Sequence, residues 1–414
     1  MPAQTGRPLL QPQTTQSTNP APLKVTSNFS PSTSGSISAF EKAAQQMLAV
    51  TYWFEPIPAP GEPYTAKVRF TGKRTNVEGK TQGGDHFTHD ETVTGIVPGS
   101  GPISVTAKVR DINPGTWDVS ARILDPAQAE HSTRRSHHRP SKSSAAAAAL
   151  GSALTPEDPD RADTWFWRRW APSVDWHQDI HTGFEAFARV PGAFPFIWIT
   201  FVCLGMVVAL VTQTLLLAHQ HLHLGPVWAS TLFAMGVGAI GAKIWFIVKH
   251  RDEHRFEGWC IQGFIAGATP AAFIIFTVVL HYPTGTVLDA SAPGLMFGMA
   301  VGRIGCFLGG CCVGMPTSAP WGIWCSDQHV GARRIPTQLM ESVSALILGL
   351  ILLLAFLTRG PAGGAYFVAA LAAYTLLREG LLRLRAEPLK MRGPVITIVA
   401  TAVLLAAIVF SIII

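Results

Sequence analysis

Seven long apolar segments fill the second half of the 414-residue sequence and constrain its fold more than any other feature. They cover residues 194–217, 226–248, 260–280, 292–312, 343–358, 362–382 and 394–414. A helix needs about 20 apolar residues to cross the hydrocarbon core of a bilayer, and most of these segments reach that length. The sequence therefore predicts an all-α polytopic membrane domain of seven transmembrane helices over residues 194–414.

The first half of the chain is polar and predicts soluble structure. Residues 1–40 are mainly Gln, Thr, Ser and Pro, and we predict a disordered tail because they bury too little apolar surface to fold. Between residues 45 and 125, short stretches of alternating apolar and polar residues are separated by turn signals. This pattern predicts a small soluble β-sandwich of the immunoglobulin-like kind. The predicted strands are Tyr64–Phe70, Thr92–Ile96, Ile103–Val109 and Trp117–Ile123.

Two segments join the predicted sandwich to the membrane domain. Residues 126–163 form a predicted linker with a basic, His-rich patch at residues 134–139, which is consistent with contact to anionic lipid, although charge runs are usually solvated. Residues 164–193 contain four tryptophans just before the first apolar segment. Trp is enriched at the membrane–water interface, so this segment is predicted to be interfacial.

The net charge of +6 raises the question of a nucleic-acid partner. In the second half, however, most Lys and Arg residues lie at the ends of apolar segments. That distribution fits membrane topology and anionic lipid headgroups better than a nucleic-acid surface. We therefore predict a membrane protein with no nucleic-acid partner.

One apolar segment ends in an arginine-containing, glycine-rich stretch whose residues are suited to ligand binding. Residues 302–314 read Gly-Arg-Ile-Gly-Cys-Phe-Leu-Gly-Gly-Cys-Cys-Val-Gly. Glycines allow backbone N–H groups to approach a ligand closely, and the planar guanidinium of Arg303 matches a phosphate. The competing interpretation is a helix-packing turn whose arginine only reaches towards the membrane surface.

The burial of Arg303 in an apolar setting requires an anionic partner. No Asp or Glu lies between Ala290 and Ser326. A lipid phosphate is therefore the simplest partner expected for Arg303, with Glu341 and Glu379 as alternatives that the fold would have to bring close.

The same stretch resembles the signature of the bacterial prolipoprotein diacylglyceryl transferases. That family carries G-R-x-G-N-F-x-x-G-E-x-x-G and later H-P-S-Q-L-Y-E, where this chain has G-R-I-G-C-F-L-G-G-C-C-V-G and I-P-T-Q-L-M-E. A late Y-x-x-x-R-x-x-x-E-x-x-R pattern also has a counterpart, which runs from Tyr374 through Arg378 to Arg385. The resemblance covers residues 194–414 and implies a multi-pass protein of the bacterial cytoplasmic (inner) membrane.

The resemblance implies transfer of the diacylglyceryl group of phosphatidylglycerol to a cysteine thiol of a lipoprotein precursor, without a cofactor. The matching motif positions imply a catalytic set of Arg303, Arg378, Arg385 and Tyr374, since guanidinium groups would stabilise the departing glycerol phosphate. They also imply a substrate-binding set, which comprises Gln262, Gly263, Gly302, Gly305, Cys306, Gly314, Gln338 and Glu341.

The chain departs from the family pattern at several of these positions. The family's H-G-G appears as Gln262-Gly-Phe, its motif Asn as Cys306 and its motif Glu as Cys311. The acid between the two late arginines falls on Leu382, although Glu379 lies nearby. Because Gln262 cannot accept a proton as histidine does, a second hypothesis stays open. It is a non-catalytic paralogue that binds phospholipid or lipoprotein precursor and presents the sandwich to an unknown partner.

Two other groups of residues invite a metal site. Cys306, Cys311, Cys312 and Cys325 lie close in sequence; disulfides, apolar packing and metal binding are all possible roles, and packing is expected. The stretch 85–91 carries two His and three acidic residues, and a solvated turn between strands is expected there. No metal site is predicted.

Two indicators of membrane orientation disagree. Loop counting places the N-terminal half on the same side as residues 249–259, 313–341 and 383–393, which hold most of the loop Lys and Arg. The positive-inside rule assigns that side to the cytoplasm, and the absence of an apolar run in residues 1–40 agrees. The family resemblance implies that this side faces outward. Arginines selected for ligand binding bias the charge count, so we expect the family's orientation.

Overall fold

The computed structural model describes residues 24–27, 45–56, 61–77, 83–124, 152–156, 170–173, 176–249, 261–386 and 393–413. The predicted basic patch at residues 134–139 lies outside these ranges, as do Trp165, Trp167 and Cys260. Only the backbone of Gln262 is described.

Among the described residues, two β-sheets are formed mainly by the N-terminal half of the chain. The first has the order β1-β4-β3-β6-β9, with all neighbours antiparallel. Its strands are β1 (Lys24–Ser27), β3 (Tyr64–Arg74), β4 (His86–Ile96), β6 (Thr116–Leu124) and β9 (Trp176–His181). The second sheet has the order β11-β12-β5-β2-β7-β8, and β10 also pairs with β2. Its strands are β2 (Gln46–Glu55), β5 (Ile103–Val109), β7 (Ser152–Pro156), β8 (Trp170–Ser173), β10 (Gly183–Phe184), β11 (Ile323–Ser326) and β12 (Val330–Arg334).

The two sheets share one apolar core, which makes this part a β-sandwich. Phe70 and Trp117 of the first sheet and Phe54 and Val105 of the second are all fully buried in it. In β3 every second residue is buried, as the alternation of its sequence predicts. All four strands predicted from the sequence are present.

The sheets extend beyond the predicted boundaries of the sandwich. Strand β1 lies within the predicted disordered tail and pairs with β4. Strand β7 lies within the predicted linker, and β8 and β9 lie within the segment predicted to be interfacial. These added strands carry weak patterns of their own, and pairing with a sheet formed elsewhere supplies their hydrogen bonds.

The expected solvated turn at residues 85–91 is wrong. Only Asp85 belongs to a turn, and the other six residues begin β4. Asp85, His89 and Glu91 are buried. Asp85 accepts a hydrogen bond from Arg74 at 2.8 Å, and His89 Nε2 lies 2.7 Å from Glu91 Oε1. Partners on β3, in the case of Asp85, and within β4, in the case of His89 and Glu91, let these polar side chains enter the protein.

Seven helices follow within the described residues, and they confirm the predicted polytopic membrane domain. They are α1 (Ile197–His219), α2 (Leu224–Lys249), α3 (Ile261–Ile274, continued by a π-helix at Ile275–Val279), α4 (Thr284–Gly309), α5 (Thr337–Arg359), α6 (Ala365–Leu382) and α7 (Gly393–Ile413). All but α3 are long and apolar enough to cross a membrane. The chain is therefore a multi-pass integral membrane protein.

Helices α4 and α5 begin earlier than the apolar segments that predicted them. The fourth segment starts at residue 292 and the fifth at residue 343, whereas the helices start at Thr284 and Thr337. The extra turns contain Asp289 and Glu341, which are both buried inside the bundle. Acidic residues lower the apolar signal of a helix even where the fold provides them with partners.

Helix α4 lies at the centre of the bundle and packs closely on α1. A Cβ atom at Gly205 of α1 would lie 2.6 Å from the carbonyl oxygen of Gly298 in α4. Small residues at such a crossing let two helix backbones approach each other, which is a common packing mode in membranes. This packing fixes the C-terminal end of α4, where Arg303 lies.

The β11–β12 hairpin joins the membrane domain to the sandwich. It belongs to the loop between α4 and α5, yet β12 pairs with β5, and Val330 and Ala332 are part of the sandwich core. The indole of Trp324 stacks on Trp53 with ring centroids 5.1 Å apart, and its Nε1 donates a hydrogen bond to the Pro102 carbonyl at 2.9 Å. The sandwich and the α4–α5 loop therefore lie on the same side of the membrane, as loop counting predicts.

Replacing Trp324 by alanine is expected to loosen the sandwich from the hairpin. The change removes the stacking on Trp53 and one hydrogen bond, which together are worth about 2 kcal/mol. Amide hydrogen exchange of β5 and β12 should accelerate, while exchange in α4 should not change. Trp321→Ala is the matched control, because Trp321 is 60% exposed. Equal exchange of β5 in the two variants would contradict this account of the interface.

Candidate active site

Three helix ends meet on the sandwich side of the membrane domain. Helix α4 ends there and carries Arg303, α5 starts there and carries Glu341, and α6 ends there and carries Tyr374. The chain after α6 adds Arg385, whose backbone forms a β-bridge with Gly314. The antiparallel course of consecutive helices brings these ends together, although the residues are far apart in sequence.

Glu341 is the centre of a buried cluster. Its Oε1 lies 2.8 Å from Arg303 Nη2, and Tyr374 Oη donates a hydrogen bond to the same oxygen at 2.5 Å. Arg303 Nη2 also contacts Tyr374 Oη at 3.1 Å. The second carboxylate oxygen of Glu341, Oε2, accepts a hydrogen bond from Arg385 Nη2. We call Arg303, Glu341, Tyr374 and Arg385 the arginine–glutamate cluster.

The cluster explains how Arg303 is buried without a nearby acid in sequence. A lipid phosphate was the simplest expected partner, and the structure instead provides Glu341, one of the two alternatives. Arg303 is 8% exposed and Arg385 only 3% exposed. Burying a charge in this way is tolerated when an opposite charge and hydrogen bonds meet it.

The cluster nevertheless retains capacity for an anion. Its two guanidinium groups and one carboxylate leave one net positive charge. Among the residues that the structure describes, Arg385 Nε and Nη1 have no hydrogen-bond partner. Buried donors without partners are rare and costly, so a binding site for an acceptor-rich ligand is the direct explanation.

Three thiols lie directly beside Arg303. The Sγ atoms of Cys306, Cys311 and Cys312 all lie within 4.8 Å of one another. Arg303 Nη1 lies 3.8 Å from the sulfur of Cys306 and 3.9 Å from that of Cys312. We call these three residues the thiol cluster. Their convergence goes beyond the packing role expected from the sequence.

The loop that carries Cys311 and Cys312 of the thiol cluster is held in place from α5. Gly310 ends α4 with a φ of +70°, and Cys312 has a φ of +56°. Gln338 Nε2 donates a hydrogen bond to the Cys311 carbonyl at 3.0 Å, and Thr337 Oγ1 donates one to the Cys312 carbonyl at 3.3 Å. A cysteine with a positive φ is strained, and this conformation persists only where surrounding contacts enforce it. The hydrogen bonds from Gln338 and Thr337 therefore hold the loop in one defined conformation.

The predicted glycine positions fall into different environments. Gly302 has open space around it, and Gly314 lies against the Ile335 backbone beside the bridge to Arg385. Gly305 instead faces Phe201 of α1, and Gly263 faces Gly241 of α2. The last two lie at helix-packing contacts, and their predicted role in substrate binding stays a prediction.

Two further predicted residues are not part of the cluster. Arg378 is half-buried in α6, and it makes no hydrogen bond or ion pair with the residues that the structure describes. Gln262 lies in α3, where its neighbour Gly263 packs on α2. Its side chain is outside the description, so its predicted role in substrate binding stays a prediction.

Arg334 is a functional candidate that the sequence analysis used only as a loop charge. It is fully buried at the end of β12, with Nη2 2.8 Å from Asp327 Oδ2 and 3.2 Å from the Val330 carbonyl. Its Nη1 donates a hydrogen bond to the Gly314 carbonyl at 3.4 Å. Arg334 thus ties the hairpin to the backbone beside Arg385. Its position two residues before the Pro-Thr-Gln-Leu-Met-Glu motif was the available signal.

The fold and site define a polytopic membrane protein with a buried, cationic cluster at one end of its helix bundle. The family model of prolipoprotein diacylglyceryl transferases matches residues 190–414, more than half of the chain, and the chain belongs to this family.

Individual relatives match shorter stretches. A phosphatidylglycerol–prolipoprotein diacylglyceryl transferase of Dehalococcoides mccartyi is 36% identical over 134 residues, which cover 30% of this chain and 51% of that protein. The protein of the same name from Nostoc sp. is 32% identical over 181 residues, which cover 38% of this chain and 63% of the relative. The chain thus spans about half to just under two thirds of the length of these relatives.

Proposed function

We propose that this protein transfers the diacylglyceryl group of phosphatidylglycerol to a cysteine thiol of a lipoprotein precursor. Family membership gives the reaction class, and the relatives carry that activity in their names. The observation that carries the proposal for this chain is the buried Arg385, whose Nε and Nη1 donors lack partners among the described residues. A lipid phosphate offers the acceptor oxygens and the negative charge that this cluster lacks.

The proposed reaction assigns roles to the cluster and to Arg378, which lies outside it. The acceptor thiolate forms a bond to the glycerol carbon, the bond from that carbon to the phosphate oxygen breaks, and its electron pair leaves with glycerol phosphate. Negative charge grows on the leaving phosphate, and Arg385 and Arg378 stabilise it. Glu341 and Tyr374 hold the two buried arginines in place. The low dielectric of the buried site strengthens these interactions.

We further propose the setting in which this reaction occurs. The protein lies in the bacterial cytoplasmic (inner) membrane with the sandwich and the cluster facing outward. The soluble domain consists of residues 45–125 with the added strands β1, β7, β8 and β9, and residues 194–414 form the transferase domain. The sandwich covers the hairpin that leads into α5. A partner of the sandwich would therefore bind next to the site, and the lipoprotein precursor is one candidate.

Replacing Arg385 by lysine is expected to reduce the transfer rate by about 100- to 1,000-fold. Lysine retains a positive charge near Glu341 but cannot reproduce the planar pair of donors at Nε and Nη1. The measurement follows transfer of labelled diacylglyceryl from phosphatidylglycerol vesicles to a peptide with one acceptor cysteine. Arg383→Lys is the matched control, because Arg383 is exposed. A transfer rate of Arg385→Lys equal to that of the control would refute the phosphate role.

The replacement of the family's histidine by Gln262 keeps open the alternative of a non-catalytic paralogue, which the names of the relatives do not favour. Expression of the chain in a bacterium depleted of its own transferase separates the two functions. Restored growth and lipid-modified lipoproteins support transfer. Binding of phosphatidylglycerol by the purified protein, combined with failure to restore growth and absence of transfer in vitro, would establish the paralogue instead.

A further inference from the structure

The thiol cluster has the composition and spacing of a site for one zinc ion. Among the residues described by the structure, Cys306, Cys311 and Cys312 are the one group of at least three potential metal ligands that converge. Zinc binds thiolate sulfur at about 2.3 Å, so tetrahedral ligands lie about 3.8 Å apart. The three sulfurs already lie within 4.8 Å of one another. Small side-chain rotations therefore suffice to bring them onto a common ion.

The surroundings of the thiol cluster fit a negatively charged metal centre. Three thiolates and one Zn²⁺ carry a net charge of −1, and Arg303 Nη1 faces the sulfurs of Cys306 and Cys312 at 3.8 and 3.9 Å. Guanidinium groups in such a position orient thiolate ligands and offset their charge. Gln338 and Thr337 fix the carbonyls of the two loop cysteines, which holds their backbone in place. The other described cysteines, Cys203 and Cys325, do not lie beside Arg303.

Cys325 provides the internal contrast. It is buried against Phe307 and Val313, and burial raises the pKa of its thiol to about 11. Such a thiol acts as a small apolar side chain. Cys203 lies exposed on the surface of α1. Neither belongs to the thiol cluster, and both are suitable control positions.

We propose that Cys306, Cys311 and Cys312 bind one zinc ion as three thiolates, and that the fourth position of the zinc receives the acceptor thiol. The second half of this proposal rests on the proposed function. Catalytic zinc sites commonly combine three protein ligands with a substrate in the fourth position. A thiol bound to zinc is deprotonated, which provides the nucleophile without the base that Gln262 cannot supply.

The step balances in atoms and charge. The acceptor thiol releases its proton to solvent on binding zinc and becomes a thiolate. Its sulfur forms the bond to the glycerol carbon of phosphatidylglycerol, and the carbon–oxygen bond to phosphate breaks. The leaving glycerol phosphate takes the electron pair, and the thioether product, being neutral, dissociates from zinc. In this arrangement Arg303 offsets the charge of the thiolates, while Arg385 and Arg378 stabilise the charge of the leaving phosphate.

The first test measures zinc binding by the reduced, metal-stripped full-length protein in detergent. Titration against a chromophoric chelator is expected to show one tightly bound equivalent. Cys306→Ser and Cys312→Ser should weaken zinc binding by at least about 100-fold, and Arg303→Gln by about 10- to 100-fold. Cys203→Ala and Cys325→Ala should bind as the wild type does. Absence of a tight equivalent, or unchanged affinity in Cys306→Ser, would overturn the site.

The second test addresses the fourth position with Co²⁺ in place of zinc. Its sulfur charge-transfer absorption should increase when a peptide with an acceptor cysteine is added, and should stay constant with the matching serine peptide. Equal responses to both peptides would overturn thiol ligation. Transfer at an unchanged rate by metal-free protein would overturn the role of zinc and leave the proposed function intact. Zinc binding with an acceptor-dependent cobalt signal, but without transfer by any form, would instead remove the proposed function.

Discussion

Replacing Glu341 by glutamine is expected to abolish transfer and to lower the free energy of unfolding by about 3–5 kcal/mol. The carboxylate neutralises part of the charge of two buried guanidinium groups, Arg303 at 2.8 Å and Arg385. An amide has the same shape but no charge, and it turns an NH₂ group towards one of the arginines. Both arginines then remain buried without a carboxylate between them, and Tyr374 keeps an acceptor only when the NH₂ group faces Arg385.

Thermal unfolding in detergent and the vesicle transfer assay measure the two effects of Glu341→Gln. Glu379→Gln is the matched control. It removes a half-buried carboxylate from the same end of the bundle, and Glu379 makes no ion pair with the described residues. The control should unfold and react as the wild type does. If the two variants unfold at the same temperature, Glu341 does not hold the cluster together.

Replacing Asp289 by alanine is expected to destabilise the protein by about 4 kcal/mol. The carboxylate is fully buried in α4 and accepts four backbone hydrogen bonds at the start of α6. The donors are the N–H groups of Ala362 at 2.7 Å, Gly364 and Tyr366 at 2.9 Å, and Phe367 at 3.3 Å. Tyr366 and Phe367 belong to the first turn of α6, whose N–H groups have no intrahelical partners, and the membrane interior provides no water to replace Asp289.

Two comparisons make the Asp289 prediction specific. Asp289→Asn retains one carbonyl acceptor, so its unfolding temperature should lie between those of the wild type and Asp289→Ala. Arg303 lies about four helical turns away at the other end of α4, so the fraction of Asp289→Ala that remains folded should transfer at the wild-type rate. Unfolding of Asp289→Ala at the wild-type temperature would show that the four hydrogen bonds contribute little.

The sequence predicted the elements that depend on local sequence, and it did not predict those that depend on contacts between distant segments. Helices were predictable because a spanning segment must be apolar along its own length, whatever its neighbours. Short strands such as those at 64–70 and 103–109 were predictable because alternation reflects two faces of one strand. Strands β1, β7, β8 and β9 escaped prediction because they are defined by the sheets that they join.

In the candidate site too, the sequence identified the residues of the motif but not the surroundings of each one. Arg303, Arg385, Tyr374 and Glu341 were named from motif positions, and the structure brings all four together. The motif carried no information on whether a glycine faces a ligand or a neighbouring helix. Gly305 and Gly263 were therefore assigned to substrate binding, although they lie against α1 and α2.

The amino-acid sequence by itself determined the number of helices, the presence of an alternating β region and the residues of the family motif. Each of these depends on hydrophobicity or identity within one local segment. Only the tertiary structure decided that Glu341 is the partner of Arg303, that Val330 completes the sandwich core, and that three thiols converge beside a guanidinium. These contacts join segments that are distant along the chain, and their free energy arises only when burial removes the competing water and brings the partners within hydrogen-bond distance.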